Sequence, residues 1–226
     1  MLHEAIGYGE SAEMYLKSIH ELMDETQVVP ISMLAERLGI TVVSATEMVH
    51  RMQDQGFVEH VPYKGVTLTE QGRLSARAIL RRQRLWECFL FEKLDLPWER
   101  VYDLACKLEH AAGSEVTEAL AAHLHEPARC PHGNLIPSAQ GEVQSAGDRS
   151  LKDLQIGEQA VLRRVEPSGA SSLSYLAEHG LMPGMRVTLE ALEPIDELRT
   201  LRTGAGNVVV GRQLASQIYV EADGDE

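Results

Sequence analysis

The segment from Pro30 to Thr69, PISMLAERLGITVVSATEMVHRMQDQGFVEHVPYKGVTLT, has few ways to fold. Ser32 stands as the N-cap of a short helix, Met33 to Leu38, and Gly39 follows where a left-handed residue ends a helix. Thr41 caps a longer helix that runs to Gln55 and stops at Gly56. FVEHV and GVTLT then alternate apolar and polar residues around Pro62-Tyr63-Lys64, the pattern of a hairpin with a basic tip. Upstream, Glu10 to Glu25 carries an apolar stripe at helical spacing (Ala12, Tyr15, Leu16, Ile19, Leu22, Met23), with Ser11 as a cap near its start. Three helices and a hairpin in this order make a winged helix-turn-helix, with the Thr41 to Gln55 helix as the one that enters a major groove.

Beyond the hairpin the pattern changes twice. Thr69 starts a long helix to about Lys93, Pro97 opens another that ends near Gly113, and Ser114 caps a third reaching about His125. Leu85, Phe89, Leu90, Val101, Leu104, Leu108, Val116 and Leu120 are more apolar residues than one surface stripe needs, so this region is expected to bury a face against a second copy of the chain. Gln140 to Arg149 (QGEVQSAGDR) has linker composition. QAVLRRV, MRVTLEAL, LRTLRT, NVVVG and QIYVEA then read as short strands with Gly-rich joins, a small SH3-like β-barrel, and the acidic tail EADGDE is expected to fray. The fold class is mainly α with a small β domain. The expected division is 1–73 winged helix-turn-helix, 74–140 helical dimerisation domain, 141–152 linker and 153–226 SH3-like domain.

At 226 residues the chain can bury a core without disulfide or metal staples. No apolar run nears the roughly 20 residues of a membrane span, and MLHEAIGYGE lacks the basic and apolar parts of a secretory signal, which points to a cytoplasmic protein without a membrane partner. Three widely spaced cysteines, Cys88, Cys106 and Cys130, do not make a disulfide framework. A formal charge of -13 argues against indiscriminate nucleic-acid binding. The window from His60 to Leu85 runs against that total: Lys64, Arg73, Arg77, Arg81, Arg82 and Arg84 face only Glu70.

In ACKLEHAAG, Cys106, Glu109 and His110 stand at i, i+3 and i+4, one face of a helix. Such a face offers three ligands to a metal ion. It equally fits a packed cysteine beside a solvated Glu-His pair, because three groups from one helix rarely close a coordination sphere. His123 and His125, two apart, cannot share a helix face and read as solvated or capping residues; Cys88 reads as core packing.

EMYLKSIHEL (Glu13 to Leu22), the ACKLEH helix and PHGNLIP (Pro131 to Pro137), ordered around a helix-turn-helix, resemble the diphtheria-toxin-repressor family of metal-dependent transcriptional repressors. HGLMPGMRVTL resembles that family's FeoA-type SH3-like domain, so the resemblance spans the whole chain. It implies a primary metal site at Met14, Cys106, Glu109 and His110, whose mixed soft and hard donors lean towards Fe(II). Of the iron type's ancillary ligands only Glu87 is kept, since Gln83 and Tyr102 replace its histidines. Cys130 and His132 instead resemble the streptococcal manganese-regulator branch, which implies an ancillary site of Glu87, Cys130 and His132 with Glu166 as a fourth ligand. The two sites point to different metals, and the expected cofactor is Mn(II) or Fe(II).

The resemblance also maps DNA contacts onto Thr41, Val43, Ser44 and Glu47. Arg51, Lys64, Arg73 and Arg77 are candidates for phosphate contacts. Glu47 would repel phosphate but can accept from a cytosine amino group. The expected partners are a double-stranded DNA operator and a second subunit, and the expected role is repression of metal-uptake genes under metal repletion. Two other classes fit some of the same residues: a metal-independent winged-helix regulator that senses a small molecule, and an enzyme using Cys106 and His110, although no nucleophile elbow or phosphate loop accompanies them.

Overall fold

A computed structural model describes residues 9–23, 27–143, 147–166 and 169–222. These form two compact units that interleave along the chain. One takes in the chain up to Arg82 with Glu109–Ala119 and Pro137–Glu142; the other holds Gln83–Leu108, Leu120–Ile136 and the chain from Val143 onward. The sequential segments expected above and these units are therefore different partitions of the chain.

In the first unit, α1 (Glu10–Met23), α2 (Ile31–Leu38) and α3 (Val42–Asp54) precede an antiparallel hairpin of β1 (Val58–Val61) and β2 (Gly65–Leu68). Val29 exchanges both backbone hydrogen bonds with Val66, at 2.8 and 2.9 Å, and so extends the wing by one bridge. Gly39 holds φ 66° and its N–H closes onto Ala35 and Glu36 carbonyls, the left-handed stop read from the sequence. Thr41 caps α3 as expected, its Oγ1 accepting from the Ser44 N–H at 3.1 Å. Leu16, Ile19, Leu34, Val49, Met52 and Phe57 fill the core beneath these elements. A cavity left there by a Leu34→Ala change costs about 2–5 kcal/mol.

Three caps differ from expectation. Ser11 lies inside α1, which starts at Glu10 after Gly9, whose carbonyl accepts from the Ala12 N–H. Ser32 lies inside α2, because Pro30 takes the cap position and its carbonyl accepts from the Leu34 N–H at 3.1 Å. A proline has no N–H to leave unsatisfied there and its fixed φ suits the turn into a helix. Ser114 is the first residue of α6 (Ser114–His123), with the Gly113 carbonyl accepting from Thr117 one turn on.

The long helix α4 (Glu70–Glu92) is capped by Thr69, whose Oγ1 accepts from the Gly72 N–H at 3.1 Å. Four of the arginines counted in the locally basic window turn to acceptors of the chain itself. Arg81, buried, donates two hydrogen bonds to Glu118 and one to the Pro137 carbonyl. Arg77 donates to the Gly141 carbonyl, Arg82 to Glu13 and Arg84 to the Leu135 carbonyl. A formal charge counts what a window carries and says nothing of where its guanidinium groups point.

In the second unit, α5 (Trp98–Leu108) buries Val101 and Ala105 with Leu90 of α4, and Cys88 packs with Leu85, Leu120 and Cys130 as expected. The C-terminal strands β3 (Arg149–Ser150), β4 (Gln159–Val165), β5 (Arg186–Leu192), β6 (Arg199–Thr203), β7 (Gly206–Val210) and β8 (Ile218–Ala222) make one antiparallel sheet in the order β3-β8-β4-β5-β6-β7. Among the described residues no ladder joins β7 to β3, so a closed barrel is not what the pairing displays. α7 (Ala170–Glu178) and α8 (Arg212–Ser216) cover a core of Leu162, Leu173, Leu176, Leu189, Leu201 and Ile218. The sheet takes in Arg149 and Ser150 from the segment expected as linker, and Glu221 from the expected tail; Asp223–Glu226 lie outside the described residues, as do residues 144–146 of that linker.

Candidate metal centre

The helix carrying Cys106 ends at Leu108, and Glu109–Ala111 tighten into a 3-10 turn. Cys106, Glu109 and His110 therefore do not share one continuous α-helix. Glu109 is fully buried, and its Oε1 accepts from Lys17 Nζ at 2.8 Å. Its Oε2 is buried with no hydrogen-bond partner among the described residues. Burial pushes the Glu109 carboxyl above its ordinary range, against the opposing pull of Lys17, His110 and Arg82.

His110 turns Nδ1 onto Glu13 Oε2 at 2.7 Å, and Glu13 Oε1 accepts from Arg82 at 2.6 Å. Because a carboxylate can only accept, Nδ1 carries a ring proton in this pairing. Nε2 lies 3.6 Å from Glu109 Oε1. Met14 follows Glu13 on α1 and is 42% exposed; Cys106 is half-buried on α5. The sequence reading named Glu109 and His110 but passed over Glu13, Lys17 and Arg82. The signal was present in EMYLKSIHEL, where Glu13 and Lys17 stand at i and i+4 beside Met14.

The second cluster forms within the other unit. Ligand atoms of Glu87, Cys130 and His132, all buried, lie within 4.8 Å of one another. Glu87 Oε1 accepts from Gln83 at 2.8 Å, Oε2 faces His132 Nδ1 at 3.1 Å, and His132 Nε2 faces the Trp98 carbonyl at 3.1 Å. Burial raises the Glu87 carboxyl, but His132, Cys130 and Gln83 outweigh it and its pKa is lowered overall. Burial first, and then the Glu87 charge, push the Cys130 thiol well above its ordinary value. Gln83 and Tyr102 both border the cluster, Tyr102 edge-on to the His132 ring at 6.3 Å.

The loop that presents Cys130 and His132 is built for close approach. Gly133, at φ 83°, sits where a Cβ would come 2.0 Å from the Arg163 carbonyl of β4. The His132 carbonyl accepts from the Val165 N–H at 2.9 Å, and Asn134 donates to the Val165 carbonyl at 2.7 Å. Glu166, the next residue, does not join the cluster: its carboxylate is engaged by Arg164 and by Tyr219. A guanidinium and a phenol within reach compete for the carboxylate that a metal would need.

Both donor sets fit a divalent cation. Glu109 keeps a buried, unpartnered Oε2, with His110 Nε2 3.6 Å from its other oxygen, and Glu87, Cys130 and His132 bring an oxygen, a sulfur and a nitrogen to one buried point.

The α3 cap Thr41 and, on α3, Val43, Ser44, Glu47 and Arg51 are exposed, Val43 at 69%, and Lys64 is exposed at the wing tip beside Tyr63 at φ 63°. Arg73 is half-buried and pairs with Glu70 at 3.3 Å; Arg77 is turned to Gly141.

A winged helix-turn-helix whose first helix shares a cation-ready acid and imidazole defines a metal-responsive DNA-binding regulator as the class. Residues 8–66 match the N-terminal DNA binding domain of iron dependent repressors, 69–138 their metal binding and dimerisation domain, and 149–222 the FeoA domain. The chain is 31% identical over 225 residues to the iron-dependent repressor IdeR of Mycobacterium tuberculosis, covering 94% of this chain and 97% of that protein. It is 36% identical over 129 residues to the diphtheria toxin repressor of Corynebacterium diphtheriae, covering 57% of each. A solved manganese-dependent transcriptional repressor in complex with manganese superposes with a TM-score of 0.86 at 32% identity, over 93% of this chain and 99% of that one. The chain belongs to the diphtheria-toxin-repressor family of metal-dependent transcriptional repressors, which are DNA-binding proteins and not enzymes. No described helix is long and apolar enough to cross a membrane.

Proposed function

We propose that this chain is a cytoplasmic, homodimeric repressor that binds an operator when loaded with Mn(II) or Fe(II) and so governs metal-ion uptake. The observation that carries the reading is Glu109, wholly buried with one oxygen unpartnered, beside an imidazole whose orientation α1 controls. Met14, Cys106, Glu109 and His110 would hold the ion of the primary site, and Glu87, Cys130 and His132 that of the ancillary site. With Glu166 engaged elsewhere, these three ancillary donors are the set we assign. Residues 1–73 form the DNA-binding domain, 74–140 the helical dimerisation domain, and the C-terminal sheet an SH3-like domain of the FeoA type.

Met14 on α1 and the Glu109–His110 turn, holding one divalent ion together, would be cross-linked by it. Leu16 and Ile19 of α1 pack in one core with Leu34 of α2 and Val49 of α3, so fixing α1 limits how α3 is presented to a groove. Thr41, Val43, Ser44 and Glu47 would face bases, while Arg51 and Lys64 would face phosphates. Metal raises operator affinity only as far as the DNA-competent state binds it better.

The deciding experiment is an anaerobic DNA-binding titration of chelator-treated protein against regions upstream of its own gene and of metal transporters, with Mn(II) and Fe(II) buffered separately. Activation by either ion in the wild type and its loss in a folded, dimeric His110→Ala variant is the expected result. Tight binding without metal, or full activation of the variant, refutes the reading.

A further inference from the structure

Lys17 is an unusual neighbour for a metal ligand. Its ammonium is buried, 2.8 Å from Glu109 Oε1, and is held on α1 one turn after Glu13. Around it stand two carboxylates, Glu13 and Glu109, and a second cation, Arg82, which is bound to Glu13. Glu10 faces the same place from the start of α1, 4.0 Å from His110 Nε2. The inner pairs balance: each buried or half-buried acid already has a cation of the chain's own.

We propose that Lys17 is a built-in competitor that sets the metal threshold of the primary site: its ammonium holds one oxygen of Glu109, and an incoming divalent ion must share that carboxylate with it or displace it. Three observations carry this. Glu109 is fully buried, so in the metal-free chain the ammonium beside it offsets the cost of burying its charge. The carboxylate is only half satisfied, with Oε2 left for a second cation. Finally, two like charges on one carboxylate in a poorly hydrated place repel, so the ammonium weakens whatever binds the other oxygen. The repressor then responds to metal at a higher free concentration than its ligands alone would set. The inference rests on the primary-site reading, which the test below examines separately.

The test compares wild type, Lys17→Met and Lys17→Arg by competition of Mn(II) against a colorimetric chelator, alongside thermal denaturation of the metal-free and Mn(II)-saturated proteins. Methionine keeps the length and apolar stem of lysine without its charge; arginine keeps the charge. Lys17→Met is expected to bind Mn(II) at least tenfold more tightly than wild type while its metal-free form melts lower, because Glu109 has lost its partner. Lys17→Arg should stay within threefold of wild type in affinity. A purely structural lysine would lower stability and affinity together, so unchanged or weaker Mn(II) binding by a folded Lys17→Met protein overturns the proposal. His110→Ala separates the two levels: if that variant retains wild-type stoichiometry and affinity, the primary-site assignment fails and takes the proposal with it. If it loses one ion while Lys17→Met binds as wild type does, the lysine proposal alone is refuted.

Discussion

Gly133→Ala should damage the ancillary cluster without touching any of its donor atoms. At φ 83° an alanine pays roughly 1–2 kcal/mol for the left-handed conformation alone. Its Cβ would also lie 2.0 Å from the Arg163 carbonyl oxygen and 2.8 Å from Arg164 Cα, both backbone atoms. Relief requires the loop and β4 to part by more than 1 Å (order of magnitude), which lengthens the 2.9 Å bond to the His132 carbonyl and the 2.7 Å bond from Asn134. Losing those two hydrogen bonds adds about 1 kcal/mol each. The sum is about 3–4 kcal/mol, and part of it falls on the positions of Cys130 and His132. Denaturation of the metal-free protein would read the loss of stability, and Mn(II) titration would read the loss of the second ion. Gly204→Ala, with nothing within 4 Å of its Cβ and no positive φ, is the matched control. If Gly133→Ala melts within about 0.5 kcal/mol of the control and binds two ions, the close approach between loop and strand is not a constraint on the site.

Cys130→Ser should bind one ion fewer tightly, and metal binding to wild type should release about one more proton than binding to this variant, because a thiol held above its ordinary pKa must lose its proton to become a ligand. The sign follows: affinity at the ancillary site rises with pH while the thiol is protonated, by up to about tenfold per unit for that proton, and the serine variant has a shallower slope. Proton uptake by an indicator in weak buffer checks both. Thr41→Ala removes the acceptor at the head of α3 and should cost about 1 kcal/mol, seen as a lower denaturation midpoint with intact metal binding. Glu47→Gln should change which operator bases are preferred, scored by selection from a randomised DNA pool; an unchanged preference means the side chain faces no base.

The element order was legible because it rests on local chemistry. Gly39, Thr41 and Gly56 act through their own backbone and nearest neighbours, so their roles read directly from the chain. Glu109 and His110 were legible by spacing and resemblance. What surrounds them was not, because Lys17 and Arg82 reach the site across 92 and, for Arg82 to Glu13, 69 residues of sequence. The 3-10 turn at Glu109 was missed for a related reason: propensity carries the helix onward, while the two side chains are committed to α1. Glu166 looked available because sequence does not disclose that Arg164 and Tyr219 already hold it.

The turned-in arginines of α4 bear on how the protein searches a genome. Non-sequence-specific attraction to DNA comes from cations that displace condensed counterions, about 0.9 of a logarithmic unit of salt dependence per phosphate neutralised. Arg77, Arg81, Arg82 and Arg84 are bound to acceptors of their own chain, which leaves Arg51 and Lys64 as exposed candidates for that work on a molecule of formal charge -13. A reading head so sparsely charged is expected to dwell briefly on the wrong sequence and to reach its operator by many short encounters through solution, which a shallow salt dependence of non-specific DNA binding would check.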